Sequence, residues 1–85
     1  MSLYAQVEIW NPSLDIRLAT VPELTESEKE AAEQFSNLGK LIASLRSPQE
    51  TIVLETVAGY MIFPQKFLVD CLLRLKVETH EEEVE

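Results

Sequence analysis

"KFLVDCLLRLK", Lys66 to Lys76, decides the architecture of this chain, because its apolar residues fit more than one period. Leu68, Cys71, Leu72 and Leu75 recur at i, i+3, i+4 and i+7, the stripe of an amphipathic helix, and Pro64 suits its first turn. Phe67 widens the stripe, and Val69 and Leu73 lie off it. The stripe predicts a helix. The same letters also fit a long strand, since a short apolar run does not fix its own period. As a helix, the segment is apolar around so much of its girth that Val69 and Leu73 become surplus surface in want of a partner.

Upstream, Ile52-Val53-Leu54 and Tyr60-Met61-Ile62-Phe63 are β-branched, aromatic and aliphatic, and Val57-Ala58-Gly59 separates them. They predict a hairpin, with Gly59 free to take positive φ at the turn. A phosphate cradle needs several glycines feeding a helix, and one glycine between two strands does not supply it. Apolar residues at all of positions 60 to 63 suggest a strand covered on both faces.

Before the hairpin lies the firmest helix signal. Ala31, Phe35, Leu38, Ile42 and Leu45 recur at alternating steps of four and three, ending near Arg46 ahead of Ser47-Pro48. Thr25 and Ser27 are both candidate caps, each with a glutamate three residues on. Gly39 inside this helix costs about 1 kcal/mol relative to alanine, a cost that suits a close approach by another element.

The N-terminal quarter alternates. Ala5, Val7 and Ile9 share one face of a strand; Tyr4, Gln6, Glu8 and Trp10 share the other. Asn11-Pro12-Ser13 is a turn, and Leu14, Ile16 and Leu18 then alternate with Asp15 and Arg17 until Pro22. Trp10 and Tyr4 stand on the polar face of the first strand, where an exposed aromatic is a candidate contact residue, although the commoner role is packing under a loop.

Asn11 to Leu18, with Trp10 before it, resembles the WGNSLxxRxP opening of the swapped-hairpin DNA-binding antitoxins and transition-state regulators, and Ala58-Gly59-Tyr60-Met61-Ile62 resembles their later strand. The resemblance implies an intertwined dimer that binds DNA. Pro12 stands where the motif has asparagine, and the proline after Arg17-Leu18 is absent.

Composition narrows the function classes. Eighty-five residues make one small domain, expected over 1–78 with an acidic disordered tail over 79–85. Fifteen Asp and Glu against seven Lys and Arg give a net charge of −8, which disfavours nucleic acid and anionic membrane as partners. The N-terminus shows no secretory signal and no run is long enough to span a bilayer, so a cytoplasmic protein is expected. The single Cys71 excludes an internal disulfide and agrees weakly with a reducing compartment.

Catalysis finds few candidates. His80 is the only histidine and falls in the acidic tail; Cys71 falls in an apolar stripe, where burial keeps a thiol inert. Asp70 and Arg74, at i and i+4, read as a surface pair. No catalytic, cofactor or metal site is expected, and no enzyme.

The expected fold is therefore α+β, a small antiparallel sheet with two helices packed on one face, in the order β-β-α-β-β-α. The expected function is a non-enzymatic protein-interaction or regulatory module, a homodimer acting by protein contact with itself or a further protein. Its candidate interface residues are Trp10, Tyr60, Val69 and Leu73. The alternatives are a DNA-binding regulator or antitoxin of the swapped-hairpin kind, which requires Arg17, Lys40, Arg46 or Lys66 to gather into one basic patch, and an acidic inhibitor that imitates nucleic acid.

Overall fold

The computed structural model describes residues 2–80, with the side chain of His80 left out. Its mixed α+β chain runs β1 (Ser2–Asn11), β2 (Ile16–Ala19), β3 (Glu23–Thr25), α1 (Glu28–Ser44), β4 (Thr51–Thr56), β5 (Gly59–Pro64), α2 (Gln65–Leu68) and β6 (Leu72–His80).

Alternation in β1 sets the main sheet. β1 is the shared strand: β2 pairs antiparallel with its second half, β3 with its first, and β6 with nearly its whole length on the other edge. Pro12 to Asp15 turn the chain between β1 and β2, and Asp15 takes a left-handed φ of 52°, which a short polar side chain tolerates. Beyond β2 the chain detours around Pro22, and Thr20 mends the gap. Its Oγ accepts a hydrogen bond from Val7 N at 2.9 Å, and its own N donates to Val7 O at 2.9 Å. The three-residue β3 follows, too short to show a period of its own.

Ser27 caps α1. Its hydroxyl accepts from Glu30 N at 3.0 Å, satisfying one of the helix's orphan donors, while the Glu30 carboxylate accepts from Glu26 N, just ahead of the cap, at 3.2 Å. Thr25, the other candidate cap, lies in β3 and donates to Ser27 O instead. The expected stripe faces the sheet: Ala31 is buried, and Phe35, Leu38, Ile42 and Leu45 are half-buried.

β4 and β5 form a second, two-stranded sheet around a two-residue turn, with Gly59 at φ 112°. Thr56 is 2 % exposed and holds that turn, donating to Gly59 O at 2.8 Å and accepting from Ala58 N at 3.1 Å. The hairpin and α1 lie side by side on one face of the main sheet. Ile9 from that sheet meets Ile52, Phe63 and Leu68 in the core, with the Phe63 and Phe67 rings 5.8 Å apart.

The second helix expected over 66–76 is corrected by the structure. Gln65–Leu68 makes one helical turn, Val69 and Asp70 turn the chain, and Leu72–His80 runs extended as β6. The strand wins because it satisfies the backbone of β1 along nine consecutive pairs, a long-range gain that the local pattern does not contain. Period two then turns Leu73, Leu75 and Val77 toward the core side and Leu72, Arg74, Lys76 and Glu78 outward. Two helices on one face are replaced by one helix and a hairpin. β6 also carries the described chain through Thr79 and His80, where the tail was expected to begin; residues 81–85 lie outside the described residues.

Candidate functional site

Register brings one exposed apolar surface together. In the β4–β5 hairpin Ile52, Leu54, Met61 and Phe63 turn inward, so Val53, Tyr60 and Ile62 turn out together. Val53 is paired directly with Ile62, and the two are 59 % and 66 % exposed; Tyr60 is 77 % exposed. No strand or helix of the described residues covers them. A polar outer face is what a hairpin of this kind ordinarily presents; this one presents Val53, Tyr60 and Ile62, with Glu55, opposite Tyr60, as its charged member.

A groove of about 240 Å³ runs along the same hairpin where β5 meets β2. Ile16 and Leu18 form one wall, Met61, Ile62 and Pro64 the other, and Phe67 one end. Leu14, 62 % exposed, extends the apolar surface past Phe67. The chemistry on offer is nonpolar contact.

The helix-free face of the main sheet differs in kind. Tyr4, Gln6, Glu8 and Trp10 of β1 lie there with Arg74, Lys76 and Glu78 of β6 and Arg17 of β2. Its cations are matched. Arg74 donates through two nitrogens to Glu8 Oε1, the Nε at 3.0 Å; Lys76 Nζ lies 3.0 Å from Glu78; and Arg17 sits over the Trp10 ring. The hydrogen bonds from Arg74 hold the Glu8 carboxyl below its ordinary range, with lesser help from the charges of Lys76 and Arg17. Arg74 thus pairs across strands and not with Asp70. Lys40 belongs to α1 on the opposite side of the sheet, and Lys66 to α2.

The four interface candidates separate. Tyr60 stands on the hairpin's open face. Val69 is 59 % exposed in the turn before β6, beside α1. Trp10 is half-buried on the helix-free face, its ring under Arg17 and its buried Nε1 without a hydrogen-bond partner among the described residues. Leu73 packs against the core cluster, paired with Ile9; its neighbour Leu72 is the exposed one. Val53, Ile62 and the Ile16–Leu18 wall were missed. For Ile62 a signal was present at residues 60 to 63, where apolar letters occupy both faces of the strand.

Cys71 Sγ donates to Phe67 O at 3.2 Å, and burial raises its pKa, so it stays a thiol. Among the described residues no three His, Cys, Asp or Glu side chains are grouped to hold a metal, and no helix is long and apolar enough to cross a membrane. No family model, curated protein or solved structure matches the chain.

Proposed function

We propose that this protein is a non-enzymatic interaction or regulatory module that works as a homodimer and acts by protein contact, engaging its partner with the open face of the β4–β5 hairpin. One observation carries the reading: Val53, Tyr60 and Ile62 stand exposed side by side on a regular hairpin whose opposite face is already committed to the core. An apolar patch continued by an apolar groove is the usual mark of a protein contact site, and a solvent-exposed aromatic is a frequent anchor of one. Self-association is supported by the thin core. Among the described residues ten large apolar side chains are exposed, while Ile9, Ala31, Ile52, Phe63 and Leu68 are the buried apolar residues.

DNA binding of the swapped-hairpin kind finds little support in the charge layout, because Arg17, Arg74 and Lys76 are engaged by Trp10, Glu8 and Glu78.

The test is capture of binding partners from native lysate by the tagged protein and by its Ile62→Glu and Tyr60→Ser variants, with masses by light scattering alongside. The expected result is partners retained by the parent and lost by both variants at unchanged melting temperature. Identical capture by all three would remove the hairpin face from the contact.

A further inference from the structure

The two edges of the main sheet are built on different plans. Along one side of β1 the pairing strands are short, four residues in β2 and three in β3, with Pro22 between them. Such breaks are the usual protection of an edge against pairing with another chain. Along the other side β6 is nine residues long, and its register with β1 runs from Ser2–His80 to Trp10–Leu72 without a bulge, a proline or a glycine. Among the described residues no strand pairs with its outer edge.

The surroundings of that edge are unfinished as well. Leu73, Leu75 and Val77 face the helix side, yet all three remain half-exposed. Beside them an open trough of about 610 Å³ lies between α1 and the start of β6, with Phe35, Ile42 and Val69 among its walls. Gly39 borders the same trough, and a Cβ placed on it would meet nothing within 4 Å, so no neighbour among the described residues requires a glycine there.

We infer that two copies of this chain join β6 to β6 in antiparallel fashion about a two-fold axis at Val77, making one continuous sheet with both α1 helices on the same face. The charges choose that register. With Val77 opposite Val77 of the partner subunit, Lys76 faces Glu78 of the partner subunit, and the reverse pair repeats the contact. Moving the axis to Lys76 sets Lys76 against Lys76 and offers Glu78 of the partner subunit only Arg74, which is already bound to Glu8; moving it to Glu78 sets Glu78 against Glu78. An axis between residues would put the two helices on opposite faces of the joined sheet. In the chosen register the two α1–β6 troughs lie on the same face of the joined sheet, toward opposite ends of the seam. The hairpin faces stay free, one on each copy, for the protein contact proposed above. This inference rests on the dimeric part of that proposal.

The experiment uses the full chain. Light scattering and sedimentation are run on Lys76→Glu, Glu78→Lys and the double variant, with a melting curve of each as a check on folding. Each single variant puts like charges opposite one another twice per dimer and should weaken dimerisation about tenfold; the double variant restores both pairs and should recover it. In a Cys71→Ser background, Val77→Cys should be joined efficiently by a short bismaleimide, and Val53→Cys should not. Singles that associate as tightly as the parent, with cross-linking at position 53 in place of 77, would leave the dimer standing and overturn the β6 register. A parent chain that is monomeric throughout the micromolar range would overturn the dimer itself and this inference with it.

Discussion

The guanidinium carbon of Arg17 lies 4.7 Å from the centroid of the Trp10 ring, directly across the β1–β2 ladder. The cation rests on the negative face of the indole, an arrangement worth about 0.5–1 kcal/mol where water reaches it. Trp10 is the only tryptophan, so tryptophan fluorescence reads the surroundings of this one ring. Arg17→Ala should shift the emission to the red and lower stability by about 0.5–1 kcal/mol in urea melts. An unchanged spectrum would mean that the stack does not persist in solution.

Asn11 is 1 % exposed and ties two distant parts of the chain together. Its Nδ2 donates to Phe67 O at 3.2 Å, and its Oδ1 accepts from Leu14 N at 3.1 Å. Asn11→Ala strands both backbone groups and should cost about 1–3 kcal/mol. Asn11→Asp should cost more at neutral pH, because a carboxylate cannot donate to Phe67 O and its charge is buried. Equal melting midpoints for the two variants would argue against the Nδ2 contact.

Ile9, 1 % exposed, is at the centre of the core, whereas Leu38 is only half-buried at its margin. Truncation to alanine should cost about 4 kcal/mol at Ile9 and about 2 kcal/mol at Leu38, since fewer contacts are lost at the second site. Lys40→Ala, on the exposed side of α1, should change stability by no more than about 0.5 kcal/mol. Denaturant melts give the ranking. If Lys40→Ala proved more damaging than Leu38→Ala, α1 would be turned the wrong way on the sheet.

Glu8 links stability to acid. Its folded pKa is depressed by Arg74, so its contribution is fully present above the unfolded glutamate value of about 4.3 and is lost as pH falls through the lower folded value. Glu8→Gln removes the linkage. The stability gap between parent and variant should be constant near neutral pH and close below about pH 4. A gap that widens on acidification would assign the lowered pKa to the wrong carboxylate.

Much of this fold is written locally. Val7 and Ile9 alternate with Gln6 and Glu8, Ser27 and Glu30 mark a helix start, and Gly59 marks a turn; each is a short-range pattern, and the structure follows all three. What escaped was long-range. Leu72 to Val77 takes its strand form from β1, about sixty residues earlier, and Arg74 finds its partner in Glu8 for the same reason. Helical spacing had made Leu73 surplus and put Leu72 inside; in a strand the two exchange roles. Tyr60 was legible as a contact candidate because the strand around it has no polar face. Val53 became visible only with the hairpin register, which sets it beside Ile62.

β1 is translated before its longest partner exists. About sixty residues separate the end of β1 from the start of β6, which at 5–20 residues per second is a wait of roughly 3–12 s. Throughout that interval one entire edge of β1 is unpaired, and Val7 and Ile9 have neither β6 beside them nor the completed core above. The nascent chain is most adhesive while it is incomplete. Its production in cells is therefore governed by what shields β1 during synthesis, as much as by the stability of the finished sheet.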